Sequence, residues 1–176
     1  MTSLPEISHL SGLPAEEQTK VLDALFEPSP AIHALILPSI SAASFDSYDD
    51  FIAHAQKTFE ALAADPSHKK ELHSIIGSHP RLGAKKVESA QSAAEQAKLQ
   101  TGDASELAAL NAEYELRFPG LRYVVFVNGR GRPEIMEDMR AHIARGDLAL
   151  EERAAVRAMC DIARDRAAKL QVAASR

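Results

Sequence analysis

Tyr123-Val124-Val125-Phe126-Val127, followed by Asn128-Gly129, is the stretch on which the fold class turns. An unbroken run of aromatic and β-branched residues ending in a turn dipeptide reads as β-structure. It is the one run of this kind in the chain, and a lone strand cannot make a sheet. The run is therefore expected to be a single extended segment, near residues 122–128, inside a helical protein. On its N-terminal side, an Asp103-x-x-Glu106 capping pattern opens a helix striped by Leu107, Leu110, Tyr114 and Phe118, and Pro119-Gly120 stops it. On its C-terminal side, Pro133 starts a helix carrying Ile135, Met136, Met139 and Ile143 up to Gly146, and a last helix spans about Leu150 to Ala173.

Helical periodicity continues towards the N-terminus. Val21, Leu22, Leu25 and Phe26 stripe a helix from Pro14 that Pro28 and Pro30 end, and a short helix follows over Ala31 to Leu37. Ser47 caps the next, with Tyr48, Phe51, Ile52, Ala55, Phe59 and Leu62 at helical spacing up to Asp65-Pro66. Another runs from Ser67 to Ile76, with Gly77 placed for a left-handed cap, and one more covers Glu88 to Leu99. The expectation is all-α: one domain over residues 1–176, a bundle of about eight helices, with no repeat or linker to divide it.

The overall balance narrows the function. With 45% hydrophobic and 26% charged residues the chain has the composition of a soluble domain. A formal charge of −5 and the lack of a basic stripe argue against a nucleic-acid partner. The longest apolar run, Ala31 to Ile40, holds His and Pro and is too short to span a bilayer, and no signal pattern opens the chain, so no membrane partner is expected. One cysteine, Cys160, fits a reducing compartment. The cytoplasm is expected; the terminal Ala174-Ser175-Arg176 lacks the Ser-Lys-Leu character of a peroxisomal address.

Three constellations could carry chemistry. In Gly77-Ser78-His79-Pro80-Arg81-Leu82-Gly83, the proline biases His79 towards extended backbone, which presents its imidazole from a loop, either as a surface residue or as a general acid/base. In Ser92-Ala93-Ala94-Glu95-Gln96, Ser92, Glu95 and Gln96 share a helix face; Ser-x-x-Glu is equally a capping box opening a helix at Ala93. In the last helix Arg166 falls on the apolar face with Val156, Met159, Ile162 and Ala163, where it either snorkels to water or meets an anion. His73 and His79 lack a third ligand at metal spacing, and no Gly-x-Ser-x-Gly elbow supports a serine hydrolase.

Together with Leu25-Phe26-Glu27-Pro28-Ser29-Pro30, Leu110-Asn111-x-x-Tyr114 and Arg132-x-Glu134-Ile135-Met136, these motifs occur in an order that resembles the family of 2-oxo-4-hydroxy-4-carboxy-5-ureidoimidazoline (OHCU) decarboxylases, enzymes of urate breakdown. The resemblance implies an all-helical fold, a homodimer, no cofactor and no metal. It implies a small ureide substrate decarboxylated to (S)-allantoin, with an inactive ureide-binding protein or a hydrolase of a related ureide as alternatives. By the family's pattern His79 is the acid/base and Glu95 its catalytic partner. Pro80, Ser92, Ala93, Ala94, Glu95, Gln96 and the backbone of Tyr123, Val124, Val125, Phe126 and Val127 hold the substrate. Arg166, or Arg164 in the adjacent register, contacts its polar edge.

Overall fold

The computed structural model describes residues 3–84, 90–97 and 104–174. After a 3-10 turn at Ile7–Gly12 come α1 (Ala15–Phe26), α2 (Pro30–Ala42), α3 (Tyr48–Ala64), a second 3-10 turn at Pro66–His68, and α4 (Lys69–Ile76). They are followed by α5 (Ala90–Gln96), α6 (Ala104–Arg117), α7 (Arg132–Arg145) and α8 (Leu148–Ala174), and no strand occurs among the described residues. The protein is all-α. Residues 121–127 form neither helix nor ladder. The expected bounds at Glu88 and Leu99, and the capping residue Asp103, lie outside the described residues.

The longest helix, α8, organises the rest by packing along α3 and α1. Its buried face consists of Ala155, Val156, Met159, Cys160, Ile162, Ala163 and Ala167, and it meets Val21, Leu25 and Phe26 of α1 and Phe51, Ile52, Ala55 and Phe59 of α3 in one core. Phe26 and Phe59 contact edge to face, with ring centroids 5.7 Å apart. Burial pushes the Cys160 thiol up to about 12, leaving it protonated and inert.

Two local expectations are corrected. Helix α2 passes through Pro38 instead of ending at Leu37. Proline there removes the bond to the Ala34 carbonyl, but Ala34 and Pro38 are both exposed, so water can serve that carbonyl while Ile36 and Ile40 stay buried on the opposite side. Gly77 is right-handed, with φ −68°, and not a left-handed cap. The chain continues in tight turns beyond α4, Ser78 N–H donating to Ile75 and His79 N–H to Ile76. A Cβ at Gly77 would lie 3.0 Å from the His73 carbonyl, which is the tighter reason for glycine.

Phe59→Ala should cost about 3–5 kcal/mol, the range for emptying a buried aromatic site. Urea unfolding followed by circular dichroism measures it, and a loss below about 1 kcal/mol would place Phe59 outside the core.

Candidate active site

The tight turns after α4 deliver His79 to the inside of the molecule, 4% exposed. The loop that carries it is held at several points. Arg122 donates to the Gly77 carbonyl at 3.1 Å and to that of His79 at 3.5 Å; Asn111 donates to the Leu82 carbonyl at 3.0 Å; the Gly83 N–H donates to Gln96 Oε1 at 2.9 Å. Gln96 thereby ties the loop to α5. The Nε2 of His79 is buried and has no hydrogen-bond partner among the described residues.

Across from this loop, α8 contributes Arg166, 2% exposed despite its charge. It does not snorkel. Its Nε donates to Glu95 Oε1 at 2.7 Å and its Nη2 to Glu95 Oε2 at 2.9 Å, a two-pronged pairing. The same Nη2 lies 2.7 Å from Glu27 Oε1 and 3.0 Å from Ser92 Oγ, and Ser92 Oγ donates to Glu27 Oε1 at 2.6 Å. Ser92 is thus the third residue of α5, turned inward, and not a cap opening a helix at Ala93. Arg164 points elsewhere, to Asp161 at 3.0 Å and Gln56 at 2.9 Å, so of the two arginines it is Arg166 that meets Glu95 and Glu27.

Glu27 is the member of this cluster that motif reasoning left without a role. It follows the last residue of α1, is 3% exposed, and holds φ 74° and ψ 152°. A non-glycine residue in that region stores about 1–3 kcal/mol of backbone strain, sustained here by the bonds its carboxylate makes. Sequence offers only a weak signal for it, an acidic residue between a helix end and Pro28.

His79, Pro80, Ser92, Ala94, Glu95, Gln96 and all five residues from Tyr123 to Val127 line one cavity of about 210 Å³. Leu82, Asn128, Gly129, Ile162, Asp165 and Lys169 complete its wall, and none of these was expected. Two expected residues lie off it. Ala93 is exposed on the outer side of α5. Arg166 lies behind the wall, lining a neighbouring cavity of about 310 Å³. The structure therefore pairs Glu95 with Arg166, not with His79.

The wall formed by residues 123–127 is fixed from behind. Tyr123 donates its hydroxyl to Asp138 and packs edge to face on Tyr114 and His142. Tyr114 donates in turn to buried Glu151 at 2.7 Å, which His142 and Arg145 also engage. Burial works against the charge of Glu151, but the bonds from His142 and Tyr114 outweigh it and hold the carboxyl below its ordinary range.

Electrostatics sets the state of His79. Burial first, then the positive charge of Arg166, pull its pKa from 6.5 down to about 4, against a smaller opposing pull from Glu27. At neutral pH the imidazole is uncharged. Burial also works against the charge of Arg166, but Glu95 and Glu27 prevail and hold the guanidinium above its ordinary value. The cavity therefore offers a neutral imidazole, an anchored carboxylate and a length of backbone that belongs to no helix or ladder.

A family model described as OHCU decarboxylase matches residues 11–168. The chain belongs to the OHCU decarboxylase family. Membership makes it a decarboxylase of purine catabolism, and the matched span covers every residue of the cavity wall except Lys169. None of the curated proteins compared with the chain matches it. No helix among the described residues is long and apolar enough to cross a membrane.

Two outcomes follow from the charge arrangement. Arg166→Met leaves the Glu27 and Glu95 carboxylates without their cation and should destabilise the fold by about 3–5 kcal/mol, as breaking a buried pair does. Unfolding in urea measures this, and a change under about 1 kcal/mol contradicts the pairing. Second, between pH 4 and 6.5 the unfolded chain binds a proton at His79 that the folded one refuses, so stability rises with pH through that window. The span corresponds to about 3 kcal/mol. Comparing urea midpoints at neutral and acidic pH, His79→Gln should lose less stability on acidification than the parent; equal losses would show that His79 is not buried uncharged.

Proposed function

We propose that this cavity decarboxylates 2-oxo-4-hydroxy-4-carboxy-5-ureidoimidazoline to (S)-allantoin, with His79 as acid/base. The observation that carries the reading is the buried, unpartnered Nε2 of His79 in a cavity shared with Glu95. An uncharged imidazole with a free ring nitrogen accepts a proton from a substrate hydroxyl, and burial aids the transfer by excluding water.

The reaction balances without a redox partner. The bond between the ring carbon and the carboxylate breaks, carbon dioxide leaves, and the electron pair passes into the adjoining ring C=N. The hydroxyl on the same carbon loses its proton and becomes a carbonyl, while the ring nitrogen that received the electron pair and the ring carbon bearing the ureido group each gain one. Starting from the anionic substrate, one proton is taken up for each carbon dioxide released. The substrate is its own electron sink, so the proposed chemistry needs no cofactor. An anion in the cavity also raises the basicity of His79 from its depressed value in the free protein, strengthening it as a base when it is needed.

Glu95 serves in this scheme from a fixed position. Its two oxygens are held by Arg166, which fixes the carboxylate in the wall while it polarises the substrate hydroxyl or ring N–H. Delivery of the last proton to one face of the planar intermediate is what makes one enantiomer. The homodimer implied by the family is part of the proposal, and sedimentation at twice the chain mass of 19.1 kDa is its expected outcome.

Urate oxidase and a 5-hydroxyisourate hydrolase generate the substrate in the cuvette, and circular dichroism follows the product. The protein should accumulate one allantoin enantiomer well above the spontaneous rate. Folded His79→Ala should lose about 10²–10⁴-fold in kcat, the usual contribution of a general acid/base, and Glu95→Gln should also be slowed. Racemic product at the spontaneous rate would favour a ureide-binding protein, and release of ammonia or urea a hydrolase.

A further inference from the structure

The segment that lines the cavity ends in a hairpin turn that has no second strand. The Arg130 N–H donates to the Val127 carbonyl at 2.9 Å, and the two residues between them, Asn128 and Gly129, have φ 46° and 74°. Positive φ at both central positions is the requirement of a tight hairpin turn. Where a partner strand would run, the Arg130 side chain folds back instead. Its Nη2 donates to the Phe126 carbonyl at 2.7 Å and its Nε to the Val127 carbonyl at 3.3 Å.

Phe126 and Val127 line the cavity, and Arg130 does not.

We propose that Arg130 is a positioning residue. By bonding the Phe126 and Val127 carbonyls in place of a β-strand, it fixes the turn and the backbone segment that lines the cavity. This rests on the ureide decarboxylase reading and adds to it the group that holds the binding wall in place.

The test uses the full chain with Arg130→Ala and Arg130→Lys, each shown to be folded by its circular dichroism and thermal midpoint. Arg130→Ala should raise KM about tenfold, the effect of misplacing one charge-assisted hydrogen bond, with kcat changed by less than about twofold. Millimolar methylguanidinium should restore KM in Arg130→Ala and leave the parent unaffected. Arg130→Lys, which cannot span both carbonyls, should remain impaired. Independently of turnover, allantoin added to the parent should shift the amide resonances of Tyr123 to Val127, and the shifts should weaken in Arg130→Ala.

Unchanged KM and amide shifts in Arg130→Ala overturn the proposal. So does a loss of kcat and KM together that methylguanidinium does not rescue, which marks a merely structural residue. If the parent binds allantoin through these amides yet does not decarboxylate, the activity reading fails while the role of Arg130 stands. If it decarboxylates and Arg130→Ala has the parent KM, the role of Arg130 fails alone.

Discussion

A guanidinium buried inside a helical bundle must be neutralised there, and this protein does so with carboxylates from two other parts of the chain. Arg166 draws Glu27 from the end of α1 and Glu95 from α5 onto one point of α8, with Ser92 bridging the first two. The attraction is set against the cost of removing three charges from water, and it is supported by a set of close bonds among Arg166, Glu27, Glu95 and Ser92. The cluster thus does two things at once. It closes α1, α5 and α8 around a cavity, and it holds Glu95 as a fixed anion in the cavity wall.

The same positive charge, added to burial, keeps His79 uncharged. Base and anion therefore occupy one cavity without being bonded to each other. That separation matters for the proposed chemistry, because an imidazole already tied to a carboxylate would offer the substrate no free nitrogen on that side. Its loop is held instead through its own backbone groups, by the side chains of Arg122, Asn111 and Gln96. Rigid support of this sort is what proton transfer within hydrogen-bond reach demands.

Much of the architecture was legible in the sequence, because helix formation is local. Stripes such as Phe51, Ile52, Ala55 and Phe59 declare their helix without help from the rest of the chain, and a lone β-like run declares the absence of a sheet. Arg166 was legible as a charge on an apolar face, and His79 as an imidazole on a proline-fixed loop. Their partners were not. Glu27 meets Arg166 across 139 residues and Ser92 across 65, and periodicity carries no information over such distances. Ser92-x-x-Glu95 fits a capping box and an inward-facing site equally well, and only the position of Ser92 within α5 separates them. Local rules also failed where exposure relaxed them, as at Pro38, whose orphaned carbonyl faces water, and at Gly77, where crowding by His73 and not handedness selects glycine.

The central claim is that one buried guanidinium fixes an anion in the cavity wall while leaving a neutral imidazole free beside it. The ring nitrogen resonances of His79 test it most directly, recorded by ¹⁵N NMR on the ligand-free protein across the acid range. The account predicts a neutral ring near pH 7 that protonates only near pH 4, well below the ordinary 6.5. An imidazolium at neutral pH, or an ordinary titration near 6.5, would contradict it.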